Sequence, residues 1–263
     1  MTFSLSDARA LGNLAREAGA IILRIRASHL SKEQDWGHSA KADGSPVTKA
    51  DQEAEAHILA GIIKLGLQGL VVAEETASSV DVSNASGFYL IDPLDGTRAF
   101  VGGGDDFCVN IGYAEKGLPV MGALHVPVTG ETYFAAEGQA FFVPPSGHEE
   151  RISVRVADPS GYDVIVNRTE DWSGKLKRYL ETIPLRELHR RSSAHKMALI
   201  ARGSFDMYPR FGGSMEWDTC AGDALLRAAG GSMKTIEGAD FVYGKPTFLN
   251  GPFIARGKMD VTG

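Results

Sequence analysis

The sequence predicts a layered α/β protein, because helix-like and strand-like patterns alternate along the chain. Apolar residues recur at intervals of three and four over residues 7–26, which predicts an amphipathic helix. Short apolar runs at residues 70–73 and 88–91 predict strands, and each run leads directly into carboxylates. The chain has 263 residues, of which 43% are hydrophobic, so it can bury the core of one large domain or of two fused ones.

The remaining elements of the prediction follow in chain order. Residues 31–47 are rich in turn-forming residues and predict a loop, after which a second helix begins near Thr48. Residues 144–149 are the predicted boundary between an N-terminal α+β subdomain, 1–145, and a C-terminal α/β subdomain, 146–263. The other predicted strands span residues 107–113, 119–126, 131–136, 151–156, 162–167 and 206–210, and the other predicted helices span residues 173–181, 193–202 and 217–229.

The composition narrows the classes of partner. The formal net charge is -6 and no basic block occurs, which argues against a nucleic acid polymer as a partner. The two cysteines, Cys108 and Cys220, lack the spacing of a zinc site or of a disulfide framework. No apolar run is long enough to span a membrane and no signal peptide is recognised, so we expect a cytoplasmic protein without a membrane partner.

The most informative motif is Asp-Pro-Leu-Asp-Gly-Thr at residues 92–97, directly after a predicted strand. Its Pro and Gly favour a tight turn at the strand end. Two carboxylates three residues apart, with a carbonyl between them, can face one point, and Mg²⁺ prefers such oxygen ligands. An ordinary acidic turn is the alternative interpretation of this motif.

Three further carboxylates stand at the ends of predicted elements. Glu74 follows a predicted strand, where a glutamate pair is usually solvated surface, and Asp218 stands near a helix start, where it can serve as a cap. Asp51 and Thr48 fit a capping box, which is a purely structural explanation. If all these carboxylates converge, their mutual repulsion is costly without cations. A site with two or more metal ions would offset that repulsion and activate a water for attack on phosphorus.

Taken in order, these elements resemble the signature of the inositol monophosphatase superfamily, the lithium-sensitive, magnesium-dependent phosphatases. The pattern extends over residues 41–231 and ends on a Gly-Gly pair that begins after eleven intervening residues beyond Asp218. The resemblance implies a layered α/β/α/β/α sandwich that usually forms a homodimer. It also implies two or three Mg²⁺ ions as cofactors.

The resemblance further implies the metal ligands. Glu74, Asp92, Asp95 and Asp218 match carboxylate ligands of the family, and the Leu94 carbonyl completes the first metal site.

Residues for water and phosphate are implied in the same way. Asp51 and Thr97, together with Glu74, match the catalytic residues that orient and activate the attacking water. Gly96 and Thr97 match backbone N–H groups that bind the substrate phosphate. Lys41 matches a loop that closes over the site.

Substrate recognition is predicted from the C-terminal half. Arg210 stands where inositol monophosphatases carry an acidic residue for inositol hydroxyls, and an arginine instead suits a second phosphate. Ser193 and Lys196 belong to a Ser-Ser-x-x-Lys stretch that resembles the 3'(2'),5'-bisphosphate nucleotidase branch of the family. The chain differs from that branch at Ala99, where a glutamate is common.

The predicted reaction is therefore hydrolysis of a phosphorylated small molecule, with adenosine 3',5'-bisphosphate converted to AMP and phosphate. Inositol-1-monophosphatase, histidinol-phosphatase and fructose-1,6-bisphosphatase are the alternatives within the family. A catalytically inactive regulatory or binding protein on the same fold is the alternative outside enzymes. A lost metal ligand would be the mark of such a protein, and none of the matched ligands is missing.

Overall fold

The computed structural model describes residues 3–30, 39–40, 46–77, 80–169 and 174–259. Their α-helices are α1 (Leu5–Leu30), α2 (Lys49–Lys64), α3 (Thr97–Val101), α4 (Lys175–Leu180), α5 (His195–Ala201) and α6 (Cys220–Ala228). Their strands are β1 (Ser39–Ala40), β2 (Pro46–Val47), β3 (Leu70–Ala73), β4 (Gly87–Asp95), β5 (Cys108–Glu115), β6 (Leu118–Val126), β7 (Glu131–Ala136), β8 (Gln139–Val143), β9 (Glu150–Ile152), β10 (Val156–Ala157), β11 (Tyr162–Asn167), β12 (Leu185–Arg191), β13 (Met207–Arg210), β14 (Ser214–Met215), β15 (Ser232–Thr235), β16 (Leu249–Asn250), β17 (Phe253–Arg256) and β18 (Lys258–Met259).

The first sheet has seven strands in the order β3-β4-β5-β6-β7-β8-β9. The β3–β4 pair is parallel, whereas the other neighbouring strands are antiparallel. Two tight hairpins, at Lys116-Gly117 and Glu137-Gly138, fix part of this order, since all four residues have positive φ. Positive φ at both central residues is the geometry of a type I′ turn, which matches the twist of antiparallel strands.

The helices and sheets alternate in five layers. Helices α1 and α2 pack on one face of the first sheet through apolar residues such as Leu11 and Ile58. Helices α5 and α6 lie between the first sheet and a second one, in a core that includes Leu225 and Phe253. Helix α4 covers the outer face of the second sheet through Leu176 and its neighbours. The predicted α/β/α/β/α sandwich is therefore confirmed.

The second sheet has the order β12-β11-β13-β17-β15 and is tied together by charge as well as by its core. Arg155 donates to both carboxylate oxygens of Asp206, at 2.7 and 2.8 Å, and to Asp163 at 2.6 Å. Arg186 donates to both oxygens of Asp163 from strand β12. We call these four residues the arginine–aspartate cluster. It joins β12 and β11 to the segments before β10 and β13.

The structure corrects several predicted elements. The predicted strand at 151–156 is two short strands, β9 and β10, and the predicted helix at 217–229 opens as a 3₁₀ helix before α6 begins. Strand β12 is absent from the prediction, because its residues are mostly charged and exposed and no apolar pattern marks it. Two residue pairs in the predicted loop at 31–47 form the short strands β1 and β2. The division at residue 145 stays a prediction, although β9 lies beyond it and still pairs with β8.

Candidate active site

Asp92 and Asp95 lie at the C-terminal end of β4, where its register with β5 shifts. Asp92 pairs with Asn110 and Asp95 with Cys108, so three steps along β4 match two steps along β5. Residues three apart in a regular strand point to opposite faces, but the extra residue of a bulge brings both side chains to the same side. The Leu94 N–H donates to Asp92 Oδ1 at 3.0 Å and holds the first carboxylate against the turn.

Gly96 completes the turn because no other residue fits there. Its φ is +96°, and an added Cβ would lie 2.7 Å from the carbonyl oxygen of Asp106. Both the backbone angle and the close approach therefore require glycine. The chain can then enter α3 at Thr97 directly beside the two aspartates.

Glu74 reaches the same edge because β3 runs parallel to β4, so that the C-terminal ends of both strands meet there. Glu55, buried on α2, accepts hydrogen bonds from the Glu75 N–H at 2.9 Å and the Thr76 hydroxyl at 3.1 Å. These bonds fix the turn that carries Glu74. Glu55 is absent from the predicted site, although a glutamate on the buried face of a helix, one turn after Asp51, was the available signal.

Asp218 enters the site from the C-terminal half, within the 3₁₀ helix that precedes α6. Its Oδ2 accepts the Met215 N–H at 2.9 Å. The adjacent Glu216 is fully buried and accepts the N–H groups of Gly244 and Lys245, at 2.7 and 3.0 Å, and the Lys245 ammonium at 2.8 Å. Glu216, which is also absent from the predicted site, therefore holds the segment that carries Asp218.

The four carboxylates repel one another at a partly buried edge, where Asp92 is 2% exposed. Burial, followed by repulsion from Glu74, Asp95 and Asp218, raises the pKa of Asp92 well above its ordinary value. Burial and repulsion from Asp95 raise the pKa of Asp218 to about 7. Burial also raises the pKa of Asp95, although the positive charge of Lys196 opposes this shift. Negative charge is therefore concentrated at this edge beyond what the nearby cations compensate.

Divalent cations fit the chemistry of this donor set, because hard cations prefer carboxylate and carbonyl oxygens. Within the residues that the structure describes, however, no group of three His, Cys, Asp or Glu side chains is arranged to hold a metal ion. Some of the carboxylate oxygens accept backbone N–H groups instead, as Asp92 does from Leu94 and Asp218 from Met215. The assignment of individual metal ligands stays a prediction.

Asp51 and Thr97 are in contact, as the sequence predicts. The Thr97 hydroxyl lies 3.2 Å from Asp51 Oδ1 and 2.9 Å from the Leu94 carbonyl oxygen. The other Asp51 oxygen accepts the Thr48 N–H at 2.7 Å and the Thr48 hydroxyl at 2.6 Å. The capping box is therefore present and leaves one Asp51 oxygen in contact with Thr97, while the catalytic role of Asp51 stays a prediction. One oxygen caps α2 and the other faces Thr97.

A cleft of about 420 Å³ opens over these groups. Its lining includes Glu74, Asp95 and Thr97 from the first half of the chain, and Arg210 and Asp218 from the second. The fold thus brings the predicted residues of both halves to one place.

Ser193 and Lys196 lie behind the cleft wall. The Ser193 hydroxyl donates to Asp106 Oδ1 at 3.2 Å, and the buried Lys196 ammonium donates to the carbonyls of Arg191 and Ser193. Lys196 therefore acts on the site through its charge, and direct contact with a substrate would require it to move. Lys41 lies outside the described residues.

Arg210 is half-buried in the cleft wall and braces the turn that follows it. Its guanidinium donates to the Gly212 carbonyl at 3.3 Å, to the Gly213 carbonyl and to the Tyr208 hydroxyl at 3.0 Å. An arginine has five N–H donors, so part of its capacity remains for a ligand. A substrate-binding role for Arg210 stays a prediction.

Comparison with known proteins identifies the class that this fold and site define. The profile described as the inositol monophosphatase family matches residues 7–260, so the chain belongs to that family. The chain is accordingly a metal-dependent phosphatase that acts on a phosphorylated small molecule. The predicted family and enzyme class are thereby confirmed.

Particular relatives are similar over almost the whole chain. A 3'(2'),5'-bisphosphate nucleotidase CysQ from Escherichia coli strain K12 is 35% identical over 242 residues, which cover 91% of this chain and 95% of the relative. The protein of the same name from Buchnera aphidicola is 32% identical over 92% of this chain and 90% of its own length. The crystal structure of CysQ from Bacteroides thetaiotaomicron superimposes with a TM-score of 0.82 at 31% identity, covering 97% of this chain and 98% of that one.

The described part of the chain contains no helix with the length and apolar character needed to cross a membrane.

Proposed function

We propose that this protein is a 3'(2'),5'-bisphosphate nucleotidase that converts adenosine 3',5'-bisphosphate to AMP and phosphate. The observation that carries the proposal is the contact between Thr97 and Asp51 at the rim of a cleft lined by Glu74, Asp95 and Asp218. Relatives named for this activity, at 35% identity over 91% of the chain, support the choice of substrate.

Thr97 and Asp51 orient the attacking water. Because the Thr97 hydroxyl donates its proton towards Asp51 Oδ1 or the Leu94 carbonyl, its lone pairs remain free to accept a hydrogen bond from a water in the cleft. Asp51 is held by Thr48 and stays in place while this bond forms. Proton transfer through such a positioned pair contributes roughly 10²–10⁴-fold to rate.

The proposed cofactor is Mg²⁺, with two or three ions held by Glu74, Asp92, Asp95, Asp218 and the Leu94 carbonyl. When bound, these ions supply Lewis acidity and a water that is nucleophilic at neutral pH. They also compensate the charge that raises the pKa of Asp92 and Asp218.

The substrate phosphate is proposed to accept the backbone N–H groups of Gly96 and Thr97, with Arg210 nearby in the cleft wall. Lithium inhibition, a homodimer and a cytoplasmic location belong to the same proposal.

Phosphate release from a panel of substrates tests this function. The panel contains adenosine 3',5'-bisphosphate, inositol 1-phosphate, histidinol phosphate and fructose 1,6-bisphosphate, each with Mg²⁺ and with a chelator. We expect the highest kcat/KM for adenosine 3',5'-bisphosphate and loss of turnover with the chelator.

Two results would contradict the proposal in different ways. A higher kcat/KM for inositol 1-phosphate would remove the nucleotidase assignment while leaving a metal-dependent phosphatase. Turnover that survives thorough chelation would remove the proposed role of Mg²⁺.

A further inference from the structure

A second cleft of about 510 Å³ adjoins the active-site cleft. The two share Asn167, Thr169, Arg210 and Gly213 in their walls, so they are immediate neighbours. We call this second space the side cleft.

The active-site cleft is a poor place for a second phosphate. Its carboxylates repel an additional anion, and bound cations would be occupied by the phosphate being cleaved. Lys196 is buried with its ammonium on two backbone carbonyls. Arg210 already donates to Gly212 and Gly213. Arg98 also lines the active-site cleft, and further positive charge for a second phosphate is available next to it, in the side cleft.

The side cleft supplies that charge from α4. Lys175 and Arg178 both line it, and both are exposed. Among the described residues, neither side chain takes part in an ion pair, in contrast to Lys177 on the same helix, which pairs with Glu181 at 3.9 Å. Two cations that line the same concave wall, and that have no anionic partner in the described part of the chain, are suited to an anionic ligand.

The apolar part of the side cleft is built on Phe211 and Leu176. The Phe211 ring packs against Tyr179, with ring centroids 5.8 Å apart, and Leu176 is buried in the core beneath α4. This packing ties α4 to the turn after Arg210. The position of Lys175 and Arg178 relative to the active-site cleft is therefore set by the core beneath them.

We propose that the side cleft binds the second phosphate of the substrate, with Lys175 and Arg178 as the residues that select a bisphosphate over a monophosphate. This inference rests on the proposed nucleotidase function and deepens it. The ligand is a phosphomonoester dianion that belongs to the same molecule as the phosphate being cleaved.

The test compares adenosine 3',5'-bisphosphate with adenosine 3'-monophosphate, which differs only in lacking the 5'-phosphate. kcat/KM is measured for both substrates in wild type, Lys175→Gln, Arg178→Gln and the double variant. Lys177→Gln is the matched control, since it removes a charge from the same helix outside the side cleft. We expect each single variant to lose roughly tenfold on the bisphosphate, the size of one charge-assisted contact, and to keep its activity on the monophosphate.

The outcomes separate the side cleft from the proposed function. Suppose that the wild type prefers the bisphosphate. If the variants keep that preference, or lose kcat/KM equally on both substrates, the side-cleft proposal alone is overturned. A wild type that hydrolyses both substrates equally would show that the 5'-phosphate is not recognised and would overturn the side-cleft proposal, whereas a wild type that hydrolyses neither would overturn the nucleotidase function. A comparable loss in Lys177→Gln would show a general charge effect and would also overturn the side-cleft proposal.

Discussion

Two groups of buried or partly buried aspartates in this protein have opposite surroundings. At the active site, burial and mutual repulsion raise the pKa of Asp92, and that of Asp218 to about 7. In the arginine–aspartate cluster of the second sheet, hydrogen bonds from Arg186, followed by those from Arg155, lower the pKa of Asp163 to about 2. The residue type is the same, and burial together with the charge of the neighbouring groups decides the direction of the pKa shift.

This difference separates carboxylates that stabilise the fold from carboxylates that serve chemistry. Paired with arginine, an aspartate favours the folded state in its charged form. An aspartate that lies among other acids without enough cations destabilises the folded state when it is charged. Such unfavourable electrostatics are typical of a functional site. Predictions for the two groups therefore run in opposite directions.

The largest effect is expected for Asp95→Asn. It removes a negative charge from the active-site group with little change in shape, so kcat/KM in the presence of Mg²⁺ should fall by roughly 10³-fold. The midpoint of thermal unfolding without metal should stay the same or rise, because one repelled charge is gone. Asp105→Asn, an exposed neighbour that pairs with Arg26, is the control and should keep full activity. Near wild-type turnover of Asp95→Asn would contradict the role of this carboxylate.

Asp206→Asn should show the reverse pattern. Asp206 is 1% exposed and accepts two hydrogen bonds from Arg155 and one from the Asp163 N–H. The NH₂ group of an asparagine at this position would face these N–H donors and could not accept from them. Urea unfolding should show a loss of about 3 kcal/mol in the free energy of unfolding, as for a broken buried ion pair. Activity at a temperature where the variant is folded should be largely retained.

Asp158→Asn is the comparison for that measurement, since its carboxylate is exposed and lies 3.7 Å from Arg186. A loss of stability in this variant as large as in Asp206→Asn would mean that burial does not decide the effect. Equal stability of Asp206→Asn and wild type would remove the distinction between the two groups of aspartates.

The smallest effect concerns pH. The folded-state pKa of Asp163, about 2, lies below its ordinary value of 3.8, so the unfolded chain binds more protons than the folded protein between these two pH values. The stabilisation is therefore present above the unfolded pKa and is lost as pH falls towards the folded one. Asp163→Asn should flatten the acid side of the stability curve, measured by urea unfolding between about pH 3 and pH 6. A slope identical to that of wild type would contradict the assignment.

The sequence predicts the active-site turn well because its determinants are local. Asp92, Asp95, Gly96 and Thr97 lie within six consecutive residues, and the spacing of acids, proline and glycine is visible without any long-range contact. Helices α1 and α2 are predicted for the same reason, since apolar periodicity is a local property. The capping box between Thr48 and Asp51 is also readable at this level, and it is present.

Tertiary structure decided which of the other charged residues point inward. Glu55 and Glu216 look like ordinary surface glutamates in the sequence, yet both are buried and hold the segments that carry Glu74 and Asp218. Lys196 is predicted from the sequence as a substrate ligand, yet its ammonium donates hydrogen bonds to backbone carbonyls behind the cleft wall. Burial depends on what packs over a residue, and that comes from distant parts of the chain.

The sequence by itself thus determined the family, the layered fold and the residue types of the candidate metal site. Only the tertiary structure decided that β3, β4 and the 3₁₀ helix before α6 meet at one edge, and that α4 lies beside the resulting cleft. The physical reason is that local propensity acts between neighbours in the chain. The electrostatic environment of Glu74, Asp95 and Asp218 instead depends on contacts between segments as much as 144 residues apart, from position 74 to position 218.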